Sequence, residues 1–315
     1  MTDPLKDKLV TIFGGSGFLG HYVAQALLNR GARLRIASRN PEKSFSLKPL
    51  ANLGQIQFAR CDINDAERVA LAAAGSHGVV NLVGSFAGDQ MQLMGRAAGT
   101  VAEVAKQAGA EALVHLSAIG ADPESGATYA RANALGEELV QEAFPKATIL
   151  RPSALFGSDD NFINLFAGLI RTLPLVPIFG PDSELQPTYV DDAAEAIAQA
   201  LGDQAAFGGK TYELGGPERL TMLELHRRIA DAQGRAPRFL QLPGAVSALI
   251  AAMPATPINR DQWIMLKAGN VASGEMPGFK QLGIEPRPLG LFLDRWMVKY
   301  RKHGRFGRAG GVSAG

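Results

Sequence analysis

An α/β chain on a doubly wound parallel sheet is predicted by three features of the sequence. Short runs rich in Val, Ile, Leu and Phe alternate with amphipathic helical runs through roughly the first half. Several helical runs close on a glycine, and a glycine-spaced turn joins the first strand to the first helix. Runs that alternate in this way pack as a parallel sheet with helices on both faces, joined by right-handed crossovers.

The strand candidates, in order, are KLVTIFG (8–14), RLRIAS (33–38), IQFARCD (56–62), GVVNLVG (78–84), ALVHLSAIG (112–120) and TILRPSALFG (148–157). Between them the helix candidates are LGHYVAQALLNRG (19–31), DAERVALAAAG (65–75), MQLMGRAAGTVAEVAKQAGA (91–110) and YARANALGEELVQEAF (129–144). Their apolar residues recur at helical spacing. In the first helix Leu19, Val23, Ala26 and Leu27 share one face, and Gly31 supplies a left-handed C-terminal residue.

After Phe156 the rhythm changes. Residues 161–187 read as a helix and a proline-punctuated segment, and TYVDDAAEAIAQAL (188–201) reads as a return to the flank of the main sheet. Beyond Gly215 come helices separated by proline and glycine: 221–234, 245–257 and 260–270. The expected organisation is a dinucleotide-binding core over 1–156, an irregular segment and return over 157–214, and a smaller, mostly helical region over 215–315. That region ends in a basic tail whose small, glycine-rich last residues are expected to be disordered.

Composition narrows the function classes. With 315 residues, 46% hydrophobic and 20% charged, the chain is of ordinary globular type, and a net charge of +2 is too small to argue for nucleic acid. One cysteine, Cys61, excludes an internal disulfide and reads as a buried, inert thiol in a reducing compartment. No run reaches the ~18 apolar residues of a membrane span. The start, MTDPLKDKLV, has no apolar signal core, and its acidic residues argue against a transit peptide, so a soluble or peripheral intracellular protein is expected.

In TIFGGSGFLG, Gly14, Gly17 and Gly20 stand between the first strand and the first helix. Glycines there let the backbone turn tightly and approach a pyrophosphate, which the helix N-terminus then faces with free N–H groups. The plain alternative is a turn kept glycine-rich for close helix–sheet packing. The strand–turn–helix context favours a Rossmann-type dinucleotide loop, drawn from Gly14, Gly15, Ser16, Gly17, Phe18, Leu19 and Gly20. An acidic residue at the end of the second strand would bind the ribose hydroxyl of NAD. Here Ser38 and Arg39 stand instead, and a basic side chain suits the 2′-phosphate of NADP(H). A solvated loop arginine is the alternative for Arg39. Asp62 and Ile63, after the third strand, and Leu82, Val83 and Gly84, after the fourth, fall where ligands gather beyond parallel strands.

These segments, with HLSAIGA, YARANALGEELV, ILRPSALFG and YVDDAAEAI, resemble the extended and atypical branches of the short-chain dehydrogenase/reductase superfamily over residues 8 to about 200. The resemblance implies a serine ending the fifth strand, a tyrosine a dozen residues on and a lysine four later. Ser117 and Tyr129 match; Asn133 stands where the lysine would be. A tyrosine near its reference pKa of ~10 is ionised to about one part in a thousand at neutral pH, a poor base without a neighbouring cation. Arg131 lies on another side of the helix. Ser117, Tyr129 and Asn133 are therefore expected as vestiges of a catalytic set, with Ser117, Tyr129, Arg151 and Pro152 lining the nicotinamide end.

Within the superfamily, PINRDQWIMLKAGNV followed by GFKQLGIEPRPLG is similar to the nucleotide-binding accessory subunits of respiratory complex I. The resemblance implies a tightly held NADPH with no turnover role, and the other complex I subunits as partners. It also implies a peripheral position on a membrane NADH–quinone oxidoreductase: the cytoplasmic face of the inner membrane in a bacterium, the matrix side in a eukaryote. An NADP-dependent reductase, a nucleotide-sugar epimerase and an NADPH-sensing regulator stand as alternatives.

The five histidines have no metal-ligand spacing, so no metal site is expected. His115, among apolar residues, reads as packed. Asp191 and Asp192 read as helix-opening charges. In the tail, Arg295, Lys299, Arg301, Lys302, Arg305 and Arg308 interleave with Trp296, Met297, Tyr300 and Phe306. That pattern reads either as a solvated final helix or as a contact for an anionic membrane surface or acidic partner. LPGAVSALIAAMP is too short to span and could form a docking face.

Overall fold

The computed structural model describes residues 3–253 and 258–302. The chain divides into two interleaved units: 1–153 with 190–215 and 272–286, and 154–189 with 216–271 and 287–315.

The first unit holds a seven-stranded parallel sheet. Its strands are β1 (Leu9–Phe13), β2 (Arg33–Ser38), β3 (Ile56–Arg60), β4 (Gly78–Asn81), β5 (Ala112–Leu116), β6 (Thr148–Pro152) and β11 (Thr211–Leu214). Their order is β11-β6-β5-β4-β1-β2-β3, so the winding reverses between β1 and β4. Val10, Ile12, Leu34, Ile36, Val79, Val80, Leu113, Val114, Ile149 and Leu150 are buried along these strands. Because both faces are covered, the strands read as near-continuous apolar runs rather than alternating ones.

Helices α2 (Ala66–Ala73), α3 (Ala97–Gln107) and α4 (Thr128–Ala143) accompany α1 (Phe18–Asn29) around the sheet. Phe13, Val69, Val79, Val101, Leu113 and Ile149 meet in one core cluster. Helix α6 (Val190–Gly202) returns to pack on α1, as the sequence suggested. Arg30, at the end of α1, donates to Glu195 and, at 3.1 Å, to Gln199 of α6.

Two elements differ from expectation. The helix expected over 91–110 opens with a π-helical turn, Met91–Arg96, before α3. The strand expected over 148–157 divides. Ser153 N–H makes the last bond to the sheet, to the Leu214 carbonyl, and β7 (Leu155–Phe156) pairs instead with β10 (Thr188–Tyr189) of the second unit. Pro152 contributes to the break because it offers no N–H to a longer ladder.

The second unit is built from helices and short strand pairs. Helix α5 (Phe162–Thr172) precedes β8 (Leu175–Ile178), which runs parallel to β13 (Arg238–Gln241). β9 (Glu184–Leu185) is antiparallel to β12 (Leu220–Thr221), and α8 (Met222–Gln233) follows. A reciprocal Thr221–Glu224 capping box starts α8, and Gly234 at φ 65 ends it. Then come α9 (Gly244–Ala251), α10 (Arg260–Ala268) and α11 (Gly290–Trp296), while the short α7 (Gln204–Phe207) belongs to the first unit.

The described part of the tail turns its aromatics onto its own unit. Trp296 stacks on Phe292 at 4.8 Å, Met297 is buried, and the Tyr300 hydroxyl donates to Asn164 at 2.8 Å. Arg305, Phe306, Arg308 and the glycine-rich end lie outside the described residues. Among the described residues no helix is long and apolar enough to cross a membrane, and no three metal-ligating side chains gather.

Candidate functional site

The residues singled out for a nucleotide lie at or just beyond the C-terminal ends of β1 to β6, apart from Tyr129 on α4, and all belong to the first unit. The glycine turn shows why its residue types are needed. Gly14 sits at φ +78, and a Cβ there would stand 3.1 Å from the Leu82 carbonyl carbon. A Cβ on Gly20 would stand 2.6 Å from the backbone of Gly15, so α1 starts directly against the loop. Gly17 N–H closes the turn onto the Gly14 carbonyl at 3.0 Å. No side chain caps α1 and no acidic residue occupies its first turn. Its opening N–H groups therefore have no competing carboxylate, the arrangement that suits a phosphate.

Around this turn, Ser16 and Phe18 are half-buried and Leu19 is buried. Ser38, at the end of β2, is buried and its Oγ has no hydrogen-bond partner, while Arg39 beside it is exposed. A buried hydroxyl without a partner is costly, and marks a place where a ligand atom fits. Beyond β3, burial and nearby carboxylates push the Cys61 thiol up to about 11, consistent with an inert residue. Asp62 is exposed and accepts from Asn64 N–H at 3.0 Å; Ile63 is buried. Leu82 and Val83 are half-buried, Gly84 is exposed, and Val83 N–H is held by the Asn81 side chain at 3.2 Å.

Ser117 and Arg151 meet on a partner the sequence reading missed, Glu137 of α4, while Tyr129 and Asn133 are bonded to each other two turns and one turn earlier on that helix. Buried Ser117 donates its hydroxyl proton to the Glu137 carboxylate. Arg151 grips that carboxylate with both edges, Nε to Oε1 at 2.8 Å and Nη2 to Oε2 at 2.6 Å. The Glu137 side chain is 8% exposed and that of Arg151 18%, so this is a desolvated, two-bond ion pair. The Glu137 bond is the first cause raising the Arg151 pKa. The detectable signal was helical spacing: Tyr129, Asn133 and Glu137 recur every four residues on α4.

Tyr129 stacks on Phe86, ring centroids 4.1 Å apart at 15°. Burial raises its phenol pKa, a side-chain hydrogen bond from Asn133 opposing it only in part. Asn133 is buried and also donates to the Tyr129 carbonyl at 2.9 Å. Arg131 is occupied elsewhere, with Ser125 and Thr128. His115 is buried and bonded to Asn81 at 3.2 Å, and burial lowers its pKa to about 4. Chemically, Ser117 has its proton engaged and Tyr129 is biased toward its neutral form.

The NAD(P)H-binding family model matches residues 14–165, and the RmlD substrate binding domain model matches 120–273. The chain is 32% identical to NADH dehydrogenase (ubiquinone) 1 alpha subcomplex subunit 9, mitochondrial, of Arabidopsis thaliana, over 94% of this chain and 79% of that protein. It is 26% identical to the mitochondrial NADH-ubiquinone oxidoreductase 40 kDa subunit of Neurospora crassa, over 93% of this chain and 80% of the relative. Among solved structures, the NADPH-dependent quinone oxidoreductase QOR2 of Escherichia coli, complexed with NADPH, shares the fold. Its TM-score is 0.75 at 21% identity, covering 91% of this chain and 99% of that one. With a nicotinamide-nucleotide fold spanning the glycine turn and this identity over nearly its whole length, the chain belongs to the complex I alpha subcomplex subunit 9 family.

Proposed function

We propose that the protein is an accessory subunit of a respiratory NADH–ubiquinone oxidoreductase that holds NADPH as a structural ligand. The observation that carries this reading is the engaged proton of Ser117, bound to the Glu137–Arg151 pair, beside an asparagine at the position of the expected lysine.

The residues present fit the nucleotide: a side-chain-free cradle at Gly14 and Gly20, and an orphaned hydroxyl at Ser38. Gly14, Gly15, Ser16, Gly17, Phe18, Leu19 and Gly20 would hold the pyrophosphate, and Ser38 and Arg39 the 2′-phosphate. Asp62 and Ile63 would lie by the adenine, with Leu82, Val83 and Gly84 along the crevice. Ser117, Tyr129, Arg151 and Pro152 would line the nicotinamide end. When bound, NADPH supplies a hydride donor. Ser117 and Tyr129 do not complete a proton relay for its transfer, since neither offers a readily mobile proton. A ligand bound only by the native state stabilises it by about 2.7 kcal/mol at a hundred-fold excess over Kd. The other subunits of the oxidoreductase are the partners, and the protein sits peripherally on the membrane side that carries its NADH-oxidising arm.

The test is gentle solubilisation of native membranes, followed by a native gel stained for NADH–quinone reductase activity. This chain should comigrate with the activity, and a Tyr129→Phe variant should assemble unchanged. Arg39→Asp should lower NADPH affinity by about tenfold or more, the loss of a charge-assisted phosphate contact. A chain found only as a small soluble species, oxidising NADPH in a Tyr129-dependent reaction, would overturn the reading in favour of a reductase.

A further inference from the structure

A cleft of about 720 Å³ lies wholly within the second unit, where the end of α5 and the turn into β8 face the approach to β13. Arg171, Leu173 and Leu175 form one wall, and Arg235, Pro237 and Arg238 the other. Three arginines therefore line one concave surface. None of them pairs with a carboxylate among the described residues. The contrast within the same unit is clear: Arg228 is paired with Glu218 at 2.7 Å and Arg301 with Asp294 at 3.1 Å.

The cleft is built rather than incidental. Arg235 donates through Nε and Nη2 to the Tyr300 carbonyl, at 3.4 and 3.2 Å, which fixes the plane of its guanidinium and leaves Nη1 without an acceptor among the described residues. Arg171 lies 5.7 Å from the Tyr300 ring. The Arg238 backbone N–H bonds the Pro174 carbonyl at 3.0 Å, which holds the two walls at a set distance. Proline at 174 and 237 stiffens both turns. A lone arginine in the last turn of α5 would be explained by the helix dipole. That account covers Arg171 and leaves Arg238, on a strand, unexplained. Like charges lining one concave surface raise the local positive potential, which favours an anion there.

We infer that this cleft binds the phosphate or diphosphate group of a small organic ligand. Arginine suits the group because its planar fork matches two phosphate oxygens at once. Leu173 and Leu175, 38% and 48% exposed, offer apolar contact to the remainder of such a molecule. The volume is that of an ordinary small-molecule site. The proposal is independent of the nucleotide reading, because every residue of the glycine turn belongs to the other unit.

The experiment is calorimetric titration of inorganic pyrophosphate into the full chain saturated with NADPH, so that the glycine turn is already filled. One saturable, salt-weakened site is expected. Affinity should fall about tenfold or more in the Arg171→Gln/Arg238→Gln double variant. Both residues are exposed, so the variant should keep its circular dichroism and Tm. Absence of binding, or binding that the double variant leaves unaltered, would overturn the proposal. A parallel arm sediments the protein with phosphatidylcholine vesicles with and without phosphatidic acid. Arginine-dependent binding to the acidic vesicles without any pyrophosphate binding would also overturn it, by assigning the arginines to a membrane headgroup.

Discussion

At Glu137 a single carboxylate decides what Ser117 and Arg151 can do. It accepts the serine proton and two arginine bonds while nearly out of contact with water. Breaking a buried pair leaves an uncompensated charge, so Glu137→Gln should destabilise the fold by about 3 kcal/mol. Thermal unfolding of the two proteins at pH 7 measures this, and an unchanged Tm would show that Arg151 finds another acceptor. Ser117 and Tyr129 were legible from their spacing. Glu137 was not recognised, because its significance depends on Arg151, a partner fourteen positions away on a different element. Phe86 was missed for the same kind of reason: its stacking on Tyr129 comes from the path of a loop, not from a motif.

Helix α1 shows how one element couples folding to ligand chemistry. Its buried face, Leu19, Val23, Ala24, Leu27 and Leu28, sets it on the sheet, and its glycine start leaves the backbone bare. A methyl on Gly20 must displace the Gly15 backbone, since a Cβ there would stand 2.6 Å away. Gly20→Ala should therefore cost about 1–3 kcal/mol as overpacking, and, with the nucleotide placed as proposed, should weaken NADPH binding. Fluorescence titration with NADPH and a melt of the apo protein check the two effects. Wild-type values in both would show that the loop yields freely. Helix periodicity and the glycine turn marked α1 plainly in the sequence. The π turn at 91–96 and the division of the strand at 148–157 were not marked. The second follows from pairing with distant segments, Leu214 and Thr188.

Over the whole molecule, stability carries a pH signature set by buried histidines. His115 and His226 are each buried, and burial lowers each pKa to about 4 from 6.5. A depressed folded-state pKa means that the unfolded chain binds the proton first. The stabilisation is then complete above about pH 6.5 and is lost as pH falls toward 4. At ~1.4 kcal/mol per unit the loss is on the order of 3 kcal/mol for each histidine. Asp160, whose carboxyl is pushed up by burial, works the other way over the carboxylate range. Urea denaturation at intervals from pH 7.5 to 4.5 should show stability falling below about pH 6.5. His115→Gln and His226→Gln should each flatten the fall. A curve level across that window would show that the histidines are not buried neutral.

The sequence by itself determined the layered α/β architecture, the glycine turn and the Asn133 that stands four residues after Tyr129, because each is written in residues close together along the chain. Periodicity and a short motif need only local spacing to be seen. Tertiary structure alone decided the Glu137–Arg151 clasp on Ser117, the orphaned hydroxyl of Ser38, and the meeting of Arg171, Arg235 and Arg238. Each depends on burial or on residues brought from separate segments, and both are properties of packing that spacing along a chain does not encode.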